Sequence, residues 1–250
     1  MHTINILGFP VSKGGVRTDV DATFRSLETR SKPYTVMCAN PHSLIGAESD
    51  RDFALALRSA DVLLPDGAGI VLAARVLGLP LPGRVAGADF FLELTRRARD
   101  MGGLRYFFLG SSERVLELIA ARLSREFRDI AVCGTYSPPF KPEFSDADNA
   151  AMIHAVNAAR PDVLWVGMTA PKQEKWIHEN HRHLDVGVIG AIGAAFDFYA
   201  GTKKRAPQWV CDLGFEWLPR LLREPGRLWR RNFISTPLFL SHVMKQKLRP

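Results

Sequence analysis

The sequence predicts an α/β protein: a Rossmann-like, mostly parallel sheet with helices on both faces, followed by a short basic helical appendage. Three observations predict it. Seven short apolar runs lack polar–apolar alternation, helical patterns separate them, and the texture of the chain changes after residue 202. Strands covered on both faces give unalternated runs, and alternation of strand with helix is how parallel strands are connected.

The runs are TINILG from Thr3, YTVMCA from Tyr34, DVLLP from Asp61, RYFFLG from Arg105, DIAVCG from Asp129, DVLWVG from Asp162 and VGVIGA from Val186. SERVLELIAARLSREF from Ser112 shows the helical pattern, with Val115, Leu118, Ile119 and Leu123 at helical spacing behind Ser and Glu in the first turn. Ligands of a parallel sheet gather beyond the carboxyl ends of its strands, where Asn40, Asp66, Gly110, Gly167 and Gly190 fall. YSPPFKPEF from Tyr136 reads as a surface loop, either a rigid connection or a lid. The pairs Asp19/Asp21, Asp50/Asp52 and Asp146/Asp148 each open a helical pattern and are read as caps rather than metal ligands. From Gly201 onward, prolines 207, 219, 225 and 237 divide a segment rich in Trp, Leu and Arg. The expected division is therefore a catalytic domain over 1–202 and an appendage over 203–250.

Composition bounds the function. With 250 residues, 46% hydrophobic and 24% charged, the chain can bury one sizeable core or two small ones. Its apolar runs fall far short of the ~20 residues of a membrane-spanning helix, and its N-terminus lacks the pattern of a signal peptide. Cys38, Cys133 and Cys211 are isolated, so neither a disulfide framework nor a zinc site is expected, which fits a reducing cytoplasm. The seven histidines are read as having no HxxxH or HxH spacing suggestive of a metal site, no GxSxG elbow is present, and no metal or cofactor is expected. The net charge of +7 is localised: residues 1–202 hold 22 Lys+Arg against 23 Asp+Glu, and residues 203–250 hold 11 against 3. Such a tail meets anionic lipid or nucleic acid, or serves solubility.

The stretch around Asp66 invites two chemistries. Gly67-Ala68-Gly69 followed by Ala73, with Asp89 about twenty residues on, approximates a dinucleotide-binding turn, which makes a nicotinamide-dependent oxidoreductase the alternative reading. The match lacks one glycine, and Asp66 puts negative charge beside a pyrophosphate that wants amide donors. Asp66 itself suits an N-cap for a helix beginning near Ala68 or a rigidly held general base, and both stay open. Asn40, Arg84, Lys172, Gln173 and Glu174 share the same rim. GMTAPKQE, running through Gly167, brings a proline to the first turn of a helix, and FLGSSERV, with Gly110 and Ser111, forms a strand–Gly–Ser–helix cradle for a diphosphate or ribose. Ser111 or Ser112 serves equally as a plain cap.

Taken together, ANPHS from Ala39, LLPDGAGIV from Leu63, GRVAGADF from Gly83, VGMTAPKQEKWI from Val166, GAIGAAFDFYAGTKKRAPQW from Gly190 and LGFEWLPRLLREPGRLWRR from Leu213 resemble, in order and over almost the whole chain, the motifs of the WecG/TagA/CpsF glycosyltransferases, family 26. The resemblance implies an inverting, metal-independent enzyme of cell-envelope or exopolysaccharide synthesis that moves a sugar from a UDP-sugar donor to a polyprenyl-diphosphate-linked acceptor. It implies a cytoplasmic protein held peripherally at the inner face of the plasma membrane. Asp66 matches the family's proposed base, and Asn40, Arg84 and Gln173 match its pocket residues. Gly67, Asp89, Gly110, Ser111, Gly167, Lys172, Gly193 and Asp197 complete the expected substrate contacts. The family often carries a threonine two residues before the asparagine; Cys38 stands there, and a thiol is a poorer donor. Arg220, Arg223, Arg227, Arg230 and Arg231, beside Trp217, Leu221, Leu228 and Trp229, form a basic aromatic surface suited to an anionic membrane surface, with no nucleic-acid partner expected. A catalytically silent membrane adaptor on this fold is the third reading. The donated sugar and the presence of a homo-oligomer stay open.

Overall fold

A computed structural model of the chain describes residues 3–29, 32–207 and 231–248, with single positions at 210, 217, 221, 226 and 229; of residues 231 and 232 it describes the backbone alone. Two short strands, β1 (Thr3–Ile6) and β2 (Phe9–Ser12), form an antiparallel hairpin. Six parallel strands follow: β3 (Tyr34–Ala39), β4 (Val62–Pro65), β5 (Leu104–Gly110), β6 (Ile130–Tyr136), β7 (Val163–Gly167) and β8 (Val188–Ala191). Their order across the sheet is β4-β3-β8-β7-β5-β6. The helices are α1 (Gly15–Thr29), α2 (Pro41–Ser49), α3 (Arg51–Ser59), α4 (Ala68–Leu77), α5 (Gly87–Asp100), α6 (Glu113–Glu126), α7 (Asp146–Ala159), α8 (Lys172–Asn180), α9 (Ala195–Ala200) and α10 (Thr236–Leu248).

The apolar runs become strands because both of their faces are buried. Successive residues of β7 alternate between two cores: Leu164 and Val166 pack with α2, α3, α4, α7, α8 and α10, and Val163 and Trp165 pack with α1, α5, α6 and α9. Met37 and Ile189 join the first core, Val36 and Val188 the second. The result is three layers, helix on sheet on helix, as unalternated strands require. On α6, Val115, Leu116, Ile119 and Leu123 are buried, and the Ser112 hydroxyl accepts from Val115 N.

The seven predicted runs all fall on strands, with one difference in pairing. TINI does not join the parallel sheet. Leu7 and Gly8 both have positive φ, 51° and 80°, which folds the chain back at once onto FPVS as a tight hairpin. The hairpin packs β2 against β4 and covers an edge of the sheet. The Asp-x-Asp pairs also divide. Asp50 caps α3 by accepting from Phe53 N, and Asp148 completes a capping box with Ser145 on α7. Asp19 is not a cap: it lies a full turn inside α1, 1% exposed, where Ser12 Oγ donates to Oδ1 at 2.6 Å, and burial raises its pKa above the ordinary value.

The segment expected to form an appendage ends in a helix that packs on the α/β layers. Phe239 and Val243 of α10 are fully buried in the first core. Gln246 Oε1 accepts from Leu7 N at 2.8 Å, and His242 meets Glu48 at 2.6 Å.

Two parallel neighbours, β3 and β8, send the chain to opposite sides: β3 leads into α2 of the first layer, β8 into α9 of the second. A crevice opens at such a divergence, beyond the carboxyl ends of the strands. If α10 belongs to the core, Phe239→Ala lowers the unfolding free energy by about 3–5 kcal/mol in urea titration. A loss below ~1 kcal/mol shows that the helix is only loosely docked.

Candidate active site

The crevice is lined from several chain segments held by backbone bonds. Asp66 follows β4 and donates its N–H to Ala39 O at 2.8 Å, and Val85 N donates to Pro65 O at 2.9 Å, which brings the Arg84 segment beside Asp66. Gly87 closes this group: a Cβ there would stand 3.2 Å from Cys38 Sγ and 3.4 Å from the Ile192 backbone. Asp66 is half-buried. The N-cap position of α4 is Gly67, at φ 107°, so Asp66 stands one residue before the cap. Beyond its chain neighbours and its own helix, no described atom lies within 4 Å of where a Gly67 Cβ would be, which leaves room for a ligand beside Asp66.

Asn40 caps α2. Its Oδ1 accepts from Ser43 N at 3.1 Å while Ser43 Oγ accepts from Asn40 N at 2.8 Å, a reciprocal box that fixes the residue at the end of β3. Asp89, in the first turn of α5, grips Arg205 with two hydrogen bonds of 2.6 and 3.0 Å and lies 3.9 Å from Arg84. The carboxylate is thus occupied in positioning arginines, and Arg205, which sequence reasoning left out, ties the segment past α9 to the pocket.

Gln173 and Glu174 open α8 and are buried, 4% and 2% exposed. Gln173 lies against Gly193, whose Cβ would stand 3.4 Å from both amide atoms. Burial pushes the Glu174 carboxyl up from its ordinary 4.5 to about 7, against the lowering effect of the Gln173 amide. The Cys38 thiol is raised well above its usual value, first by burial and then by the carboxylates of Asp66 and Glu174, which places it among them. Glu174 was visible in the sequence as part of PKQE but not as a buried acid; its signal was helical spacing, since Gln173, Ile177 and Asn180 share a buried stripe.

The remaining predicted residues form a second group along the same rim. A Cβ on Gly110, φ 115°, would meet Gly167 O at 2.7 Å, so these glycines let β5 and β7 close on one another. Ser111, at φ 59°, offers its carbonyl to Ser137 Oγ at 2.8 Å and leaves the capping of α6 to Ser112. The Lys172 ammonium sits 3.6 Å from the centroid of Phe144 and donates to Lys141 O. The proline-rich loop is anchored by these contacts. Asp197, on α9, ties the following turn through Thr202 Oγ1 at 3.1 Å and Lys203 Nζ at 3.3 Å. Of the basic tail, Arg220, Arg223, Arg227 and Arg230 lie outside the described residues.

Among the described residues, no group of three or more His, Cys, Asp or Glu could hold a metal ion, and no helix is long and apolar enough to cross a membrane. His181 and His183 do stand two apart, on a 3-10 turn, where the His181 ring faces the backbone carbonyls of Ile177 and His178. The dinucleotide reading loses its geometry as well. Its glycines follow β4, the edge strand of the parallel sheet, whose single neighbour β3 sends the chain to the same layer, so no divergence opens beside them.

The raised Glu174 carboxyl has a consequence for stability. Between its ordinary 4.5 and about 7 the folded protein holds a proton that the unfolded chain releases, so stability falls as pH rises through this window. Urea unfolding of the wild type loses on the order of 3 kcal/mol from this group between the two limits. Glu174→Gln lacks that slope. Parallel profiles for the two proteins contradict the assignment.

The whole arrangement has relatives. The family model for the glycosyl transferase WecG/TagA/CpsF family matches residues 4–250. An N-acetylglucosaminyldiphosphoundecaprenol N-acetyl-beta-D-mannosaminyltransferase of Bacillus spizizenii strain W23 is 34% identical over 219 residues, 87% of this chain and 81% of that one. The Bacillus subtilis strain 168 protein of the same name is 31% identical over 248 residues, 99% of this chain and 93% of its own. One from Staphylococcus aureus strain MW2 is 27% identical over 212 residues, covering 85% and 80%. With its three-layer fold, its crevice between β3 and β8 and a match from end to end, the chain belongs to the WecG/TagA/CpsF glycosyl transferase family.

Proposed function

We propose that this protein is an inverting, metal-independent transferase that moves a sugar from a UDP-sugar to a polyprenyl-diphosphate-linked sugar during synthesis of a cell-envelope polymer. The observation that carries the reading is Asp66, a half-buried carboxylate at a strand end, beside an open glycine and next to the Arg84 segment. Asp66 takes the proton from the acceptor hydroxyl as that oxygen forms a bond to the anomeric carbon. The bond from that carbon to the UDP oxygen breaks on the opposite face, and its electron pair leaves on the diphosphate, whose charge Arg84 offsets. The rim supports a ligand of this length. Four strand spacings of about 4.8 Å put Gly110 on the order of 19 Å from Asp66, with Asn40, Gly193 and Gly167 between. The relatives' names, which specify a diphosphoundecaprenol-linked acceptor, support the acceptor class.

Asp66→Asn keeps the shape and removes the proton acceptor. Turnover falls ~10²-fold or more while UDP affinity, read by tryptophan fluorescence, changes little. Near-normal turnover removes Asp66 from the role of base, and binding of NAD in place of UDP favours the oxidoreductase.

A lipid-linked acceptor calls for a protein at the membrane's cytoplasmic surface, and the tail supplies the chemistry. It carries 11 Lys+Arg against 3 Asp+Glu. Trp217, Trp229, Phe233 and Ile234 are exposed, with the Trp229 and Phe233 rings 4.3 Å apart. Replacing Arg220, Arg223, Arg227, Arg230 and Arg231 with Glu releases the protein from anionic vesicles in sedimentation, since each basic residue contributes ~1 kcal/mol near such a surface. Equal sedimentation of the variant and wild type defeats the docking proposal.

A further inference from the structure

The first turn of α8 contains a hydrogen bond that helix geometry does not favour. Consecutive helical side chains do not face each other, yet Gln173 Nε2 donates to Glu174 Oε1 at 2.9 Å. Both side chains are buried, and Gln173 Oε1 and Glu174 Oε2 have no hydrogen-bond partner among the described residues. Two orphaned polar oxygens side by side are costly.

Glu174 Oε1 accepts from the amide, as a carboxylate oxygen or the carbonyl oxygen of a protonated carboxyl both can, and so selects which end of the neighbouring amide turns toward it. Glu174 takes the NH2 end of Gln173, and the carbonyl end is left for something else. That amide lies on Gly193, just past the end of β8, where the chain departs to the opposite layer from the one β3 enters. We infer that Glu174 is a positioning residue of the pocket: it holds the Gln173 carbonyl oxygen ready to accept a hydrogen bond from a hydroxyl or amide N–H of the donated sugar. A diphosphate is made of acceptors and is refused by a carbonyl in this position. The UDP phosphates are therefore held elsewhere along the rim, and the Gln173–Glu174 pair meets the sugar. The assignment rests on the transferase reading above and adds to it the part of the substrate that this corner recognises. The raised Glu174 carboxyl fits a group kept in a dry site for what it holds in place.

The test is a double-mutant cycle on ligand binding. Glu174→Met keeps the bulk of the side chain and removes its acceptors, Glu174→Gln restores one acceptor oxygen, and Gln173→Ala removes the amide. Affinity is measured by calorimetry for UDP alone and for each of a panel of UDP-sugars, and melting temperature is followed in parallel. Glu174→Met is expected to bind the preferred UDP-sugar ~10-fold more weakly, to bind UDP as the wild type does, and to melt no lower than the wild type. Glu174→Gln recovers most of the loss, and the Gln173→Ala/Glu174→Met double variant is no weaker than Gln173→Ala alone. The assignment is overturned if Glu174→Met binds the UDP-sugar normally, if UDP affinity falls equally, or if the two single losses multiply in the double variant. A lower melting temperature for both Glu174 variants, with unchanged ligand preference, marks a structural role and overturns it too. A wild type that binds neither UDP nor any UDP-sugar instead removes the transferase reading itself.

Discussion

Burial of the parallel sheet on both faces is the constraint from which the rest of this structure follows. Strands that supply Met37 and Ile189 to one core and Val36 and Val188 to the other leave no face for polar chemistry. Polar side chains are therefore displaced to the strand ends, and the divergence after β3 and β8 turns one stretch of that edge into a crevice. The acids, the cysteine, the amide and the arginines collected there come from segments as far apart in sequence as Cys38 and Arg205. Short backbone bonds bring them together, such as those from Asp66 to Ala39 and from Val85 to Pro65.

Within the crevice the carboxylates have been given different environments. Asp66 is half-buried beside an open glycine, and Glu174 is sealed at 2% exposure. Asp89 is spent on Arg205 and lies close to Arg84. On the proposed reading, Asp66 meets the reacting hydroxyl and Glu174 orients an amide, while Asp89 holds Arg205. Burial raises the Glu174 carboxyl above its ordinary value, which lessens the repulsion where several acids share one end of a sheet.

The parallel strands were legible because double-sided burial leaves an unmistakable run of apolar residues, and Ser112 was legible as a cap from the acid and apolar spacing behind it. The hairpin was not: FPVS is four residues long and contains a proline, and its pairing depends on Leu7 adopting positive φ, which the residue type does not announce. The buried face of α10 is two residues wide, Phe239 and Val243, in a segment whose basic charge and tryptophans speak of a surface. Asp66 and Asn40 were legible as rim residues from their places after apolar runs, and Arg84 and Gln173 from the motifs that resemble the family's. Asp89 was legible as polar but not as the partner of Arg205, and Glu174 not as buried, since both facts depend on segments that meet only in three dimensions.

The transfer itself is the most direct test of this account. A synthetic prenyl-diphosphate sugar is incubated with the protein and each of a panel of UDP-sugars, and the lipid product is identified by mass. The account predicts one UDP-sugar that adds a single sugar residue to the lipid-linked acceptor, with UDP released in equal amount and the new linkage inverted at the anomeric carbon. An unchanged acceptor with every donor, or a product that retains the donor's anomeric configuration, contradicts it.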